Sequence, residues 1–161
     1  MKSYIERTER RALSEDLLRA FKFSREDRLS ALKALRAFRP ERRNKNSFTI
    51  TYRDLFCLGE HPIANLEKKH QIALMPEVIE FLLKDTRNED DWSGLTFMRS
   101  VLRNDKLYKI CNSEQRSAVR RLISFLLNYK IFQKRCELWK DDFESAFEEW
   151  SPTRFAKKGL K

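Results

Sequence analysis

Between Asn112 and Trp150 apolar side chains recur at helical spacing, and this stretch narrows the choice of folds more than any other part of the chain. Val119, Leu122, Ile123, Leu126 and Leu127 step by three, one, three and one. On a 3.6-residue period they share one face of an α-helix. Asn112 stands where an N-cap belongs, and Gln115 can reach back to it in a variant of the capping box. Phe125 and Tyr129 widen the stripe, so the helix is expected to meet the core on more than one side. Phe132, Cys136, Trp139, Phe143, Ala146 and Trp150 then alternate steps of four and three, a heptad-like seam. A hairpin or bend is expected at Asn128 to Lys130, because one unbroken helix would be long for a globular domain. Pro152 ends the regular structure. The seam has two readings. It is interior core, or its Trp139, Phe143 and Trp150 form an apolar interface for a partner helix or a second copy of the chain.

The rest of the chain favours the same class. Three glycines and four prolines are too few for the turns of a β-sandwich or barrel, and no two glycines stand close enough to cradle a phosphate. Hydrophobic residues make up 41%, enough for a core. No apolar run is long enough to span a membrane, and the first seven residues lack the apolar stretch of a signal peptide. Cys57, Cys111 and Cys136 form no motif, so reduced thiols in the cytoplasm are expected. The expected fold is a single all-α domain over residues 1–161, a bundle of about six to seven helices with a short basic C-terminal tail.

Residues 3–22 read as a helix with Leu13, Leu17, Leu18 and Phe21 on one face, and Ser14 is a candidate cap for a fresh start. Ser24 to Asp27 resembles a capping box opening a second helix. That helix carries Leu29, Leu32, Leu35 and Phe38, with Ala31, Ala34 and Ala37 for close approach, and Pro40 stops it. Phe48, Ile50 and Tyr52 alternate with Thr49 and Thr51, the one strand-like signal. A short helix is expected at 54–58 and another over 63–74. Pro76 is either a break or the first turn of the next helix. Val78 to Leu83 is apolar nearly all round, so burial is expected there. Residues 86–91 read as an acidic loop, 92–102 as a helix and 105–111 as a connector.

Several strings in the second half recur together: Ala73 to Leu83 with its Pro76-Glu77 pair, Ser113 to Val119, Phe125 to Tyr129, and Ala146 with Trp150. Over about residues 70–150 the chain resembles a family of small bacterial helical proteins of unknown function. The resemblance implies a helical fold and brings no catalytic residues. Some relatives in that family sit in contexts that imply toxin–immunity or defence roles.

Charge is the main functional signal. The net charge is +10 and it is unevenly distributed. Residues 1–53 carry 15 Lys/Arg against 7 Asp/Glu, residues 54–105 carry 6 against 10, and residues 106–161 carry 13 against 7. Arg7, Arg10, Arg11, Arg39, Arg42, Arg43, Lys45, Arg116, Arg120 and Arg121 would form one positive surface if their helices fold together. A basic surface can meet an acidic protein, with electrostatics setting on-rate and specificity. It can also neutralise phosphates and bind nucleic acid in a salt-sensitive way. The bland alternative is a solvated face laced with ion pairs such as Glu6–Arg10 and Asp16–Arg19.

Signals for catalysis are thinner. Asp54, Glu67 and Lys69 match the loose carboxylate and lysine spacing of a metal-dependent nuclease, but on helical sequence rather than a strand pair. Cys57 and His61 lie four apart with His70 beyond, and Gly59 and Pro62 oppose the helix that would bring the first two together. No metal or other cofactor is expected. The leading expectation is a non-enzymatic bacterial or phage protein that uses a basic helical surface on an acidic protein partner, with an immunity or defence association. Nucleic-acid binding is the alternative and nuclease activity the weaker one; no membrane partner is expected, and a homodimer stays open.

Overall fold

The computed structural model describes residues 4–37, 63, 65–85, 102–103, 106–128 and 140–153. Among them are five α-helices and no strand: α1 Tyr4–Ala20, α2 Arg25–Ala37, α3 Lys68–Asp85, α4 Ser113–Asn128 and α5 Lys140–Glu149. A single 3-10 turn, Leu107–Lys109, precedes α4. The strand-like 48–52, the short helix at 54–58, most of the helix expected over 92–102 and the turn at 129–130 lie outside the described residues. Length alone points to one domain; the chain clusters into two units, Met1–Ala20 with Leu102–Lys161, and Phe21–Val101.

The first unit joins the first helix to the last two. α4 lies between α1 and α5 and buries Ala118, Val119, Leu122, Ile123 and Leu126, the face that the spacing marks out. Its start follows the capping box: the Asn112 side-chain oxygen accepts from the Gln115 amide at 2.9 Å, and the Gln115 side chain accepts from the Asn112 amide at 3.0 Å. Two orphan amide groups are satisfied reciprocally. Arg120 meets Phe147 and Glu148 while Arg116 meets Pro152, so α5 runs back along α4 in the opposite direction. α1 contributes Leu13, Leu17 and Ala20. Leu18 is 45% exposed rather than buried, because it stands about 100° round the helix from Leu17. Ser14 starts nothing; α1 passes through it unbroken.

The second unit holds α2 and α3. Ser24 caps α2, its hydroxyl accepting from the Asp27 amide at 3.1 Å and donating to the Asp27 carboxylate at 2.7 Å. Ala31, Leu32 and Leu35 are buried, Leu29 is half-buried, and Phe38 lies outside the described residues. Arg28 on α2 pairs with Glu77 on α3, and Ser30 lies 3.5 Å from His70, so these two helices are also antiparallel. α3 begins at Lys68, later than the sequence indicates, and Pro76 neither breaks nor starts it. The ring sits mid-helix, and every residue from Gln71 to Met75 as well as Pro76, Val78 and Ile79 is buried. A proline in a helix interior costs about 3 kcal/mol. Burying that many apolar side chains at about 25 cal/mol per Å² outweighs this, so tertiary packing overrides the local break.

Candidate interaction surface

The arginines of α1 and α4 do not form one open positive face. Arg7 is exposed, and Arg10 is half-buried. Arg11 is exposed and holds Glu15, one turn on, at 2.9 Å. Arg121 projects from the exposed side of α4 and donates to Asp16 on α1 at 3.0 Å. Asp16 also faces Arg19 at 3.5 Å, the helix-face pair that the sequence marks. Arg120 stacks over the Phe147 ring at 4.0 Å and reaches Glu148 at 3.8 Å. Carboxylates of the chain itself therefore face Arg11, Arg19, Arg120 and Arg121. These are exposed or half-exposed pairs, each contributing between nothing and about 1 kcal/mol.

Arg116 departs furthest from the sequence reading. It is buried, at 8% exposure, and it points inward instead of joining a surface. Its guanidinium donates to the backbone carbonyl of Cys111 and, at 3.1 Å, to that of Pro152. Its position could have been anticipated. Arg116 is three residues before Val119 and seven before Ile123, which places it on the buried stripe. Beside it Cys111 is also buried. Burial pushes its thiol up from the ordinary 9.0 to about 12, against the opposing pull of the Arg116 charge.

The apolar interface residues also lie inside, where they are described. Phe143 and Trp150 are buried, and Trp139 lies outside the described residues. Trp150 has no exposed surface. Its indole N–H donates to the Leu102 carbonyl at 2.6 Å, and its ring meets Tyr108 edge-on at a centroid distance of 6.2 Å. Phe143 and Trp150 are thus engaged within the chain, and neither offers an apolar surface to a partner. Leu18 and Ile110 are the large apolar side chains exposed among the described residues. Nothing in the sequence pattern flags Ile110.

Arg39, Arg42, Arg43 and Lys45 lie outside the described residues, as do Asp54, Cys57 and His61. Of the nuclease-like set, Glu67 and Lys69 stand together before and at the start of α3, 2.9 Å apart and each 70% exposed. The hydrogen bond from Lys69, with its charge, lowers the Glu67 pKa below the ordinary carboxylate value. Both side chains are mostly solvated, and solvent screening leaves such a pair little net attraction. Among the described residues no group of three or more His, Cys, Asp or Glu could hold a metal ion, and no helix is long and apolar enough to cross a membrane.

The described residues hold 19 Lys/Arg and 16 Asp/Glu, and the remainder of the chain holds 15 and 8. Most of the positive excess therefore lies outside the described helices. No family model, no curated protein and no solved structure matches this chain.

Proposed function

We propose that the chain is a non-enzymatic binding protein, of bacterial or phage origin, whose partner is a protein with an acidic surface. One observation carries the reading: acids of α1 and α5 interleave with the arginines of α1 and α4 and pair with them. Arg121 meets Asp16, Arg120 meets Glu148 and Arg11 meets Glu15. A nucleic acid is uniformly negative, and every such carboxylate would repel it. A protein surface carries both signs and can match an interleaved face. Its carboxylates would reproduce the guanidinium pairs that the chain already makes within itself. Arg7, Arg39, Arg42, Arg43 and Lys45 are the cations assigned to that partner, with the last four in the stretch that concentrates positive charge. An immunity or defence association fits a small basic helical protein that works by binding.

The nucleic-acid reading keeps one supporting observation, the surplus of 15 Lys/Arg over 8 Asp/Glu outside the described residues. Fluorescence anisotropy separates the two. Labelled single- and double-stranded DNA and RNA are titrated at low and at physiological salt. The expected result is no association tighter than about 100 µM at physiological salt, the weak end of non-specific binding. Affinity capture from a lysate should then return an acidic protein that the double charge reversal Arg42→Glu, Arg43→Glu no longer retains. Micromolar binding that weakens steeply with salt would overturn the protein reading and select the nucleic-acid one.

A further inference from the structure

The path from Lys106 to Cys111 starts from a strained residue. Lys106 has φ 51° and ψ 33°, the left-handed region that a residue with a Cβ disfavours. It alone, among the described non-glycine residues, has a positive φ. Residues held in that region persist where their surroundings over-determine them, and they recur at switch segments. Here the surroundings come from the far end of the first unit. The Trp150 indole donates to the Leu102 carbonyl at 2.6 Å. The Arg116 guanidinium ties the Cys111 carbonyl to the Pro152 carbonyl. Tyr108, between these two ties, packs its ring against Trp150.

We propose that the turn at Trp150 to Pro152 is a releasable clasp that holds residues 106–111 in their strained path. Open, the clasp frees this segment and exposes Cys111 while α1, α4 and α5 stay folded. The helices have their own closures. The start of α4 is satisfied by the Asn112–Gln115 box, and its buried face carries Ala118, Val119, Leu122, Ile123 and Leu126 beyond Arg116. The clasp bonds run from side chains to backbone carbonyls, and the turn joins α5 through the Trp150 amide on the Ala146 carbonyl at 2.9 Å and the Ser151 amide on the Glu148 carbonyl at 3.3 Å. Relief of the Lys106 conformation favours opening, and the bonds from Trp150 and Arg116 oppose it together with the burial of the Trp150 and Leu107 side chains.

Cys111 is the reporter, since its buried thiol reacts only when exposed. The full chain is labelled with iodoacetamide under native conditions, and peptide mapping resolves Cys111 from Cys57 and Cys136. Amide exchange of α4 is followed in parallel. Cys111 is expected to label through an opening at least tenfold more frequent than the one that exposes the slowest amides of α4. Trp150→Phe keeps a ring and removes the N–H, and it should speed the labelling about tenfold. Lys106→Gly relaxes the backbone and should slow it about threefold. That variant guards the test against a Trp150→Phe chain that fails to fold. The proposal fails if Cys111 and the slowest α4 amides open together, which is the behaviour of ordinary core. It fails equally if Lys106→Gly leaves the labelling rate unchanged.

Discussion

Arg116 and Cys111 sit together in the first unit and invert what their types lead one to expect of a charged and a reactive side chain. The arginine is a structural tie between two carbonyls distant in sequence. Arg116→Ala would leave the Cys111 and Pro152 carbonyls without that donor and open a cavity. A loss of about 3 kcal/mol is expected, read as a shift of the urea midpoint in circular dichroism. Arg121→Ala removes only an exposed pair and should cost less than about 1 kcal/mol in the same assay. The thiol beside it gives a pH signature. Its folded pKa is raised, to about 12 from an ordinary 9.0, so the folded state keeps a proton that the unfolded state gives up. The stabilisation is fully present below pH 9 and is lost as pH rises from 9 towards 12. Between those values the chain should lose about 1 kcal/mol more per pH unit than Cys111→Ala does, measured by urea unfolding at stepped pH.

Helices of this chain are written in its sequence where local chemistry and burial agree. The caps at Ser24 and Asn112 and the buried stripe of α4 all follow from spacing and side-chain type. Pro76 is where they disagree. Local rules make it a break or a helix start, yet it lies inside α3, because the burial of its neighbours on both sides is a tertiary fact that no local window contains. The candidate surface was less legible for the same reason. Spacing could have moved Arg116 inward, but it could not pair Arg121 with Asp16 across 105 residues, nor send the Trp150 indole to the Leu102 carbonyl. Pro76→Ala makes the conflict measurable. It restores an amide donor for the Ile72 carbonyl and removes the ring clash, worth about 3 kcal/mol, while the lost ring burial returns about 2 kcal/mol. A net gain of about 1 kcal/mol is expected in urea unfolding, and a loss would mean that α3 needs the proline for its shape.

Charge is the property of the whole molecule that most bears on function, and its distribution matters more than its total. A sum of +10 invites a polyanion, but the described helices are nearly balanced because carboxylates stand among their arginines. Two groups of arginine thus differ in their charge setting along the chain. Arg120 and Arg121 hold helices to one another, whereas Arg42 and Arg43 lie in a stretch with Glu41 as its one acid. Reversing each pair distinguishes the roles. Arg120→Glu with Arg121→Glu sets new carboxylates against Glu148 and Asp16, so like-charge repulsion replaces attraction. The urea midpoint should fall by the equivalent of about 1 kcal/mol, with partner retention unchanged once the chain is folded. Arg42→Glu with Arg43→Glu changes the total charge by the same amount and should abolish retention. Equal loss of retention from both pairs would mean that net charge alone governs association. A loss confined to the α4 pair would instead move the binding surface onto α1, α4 and α5.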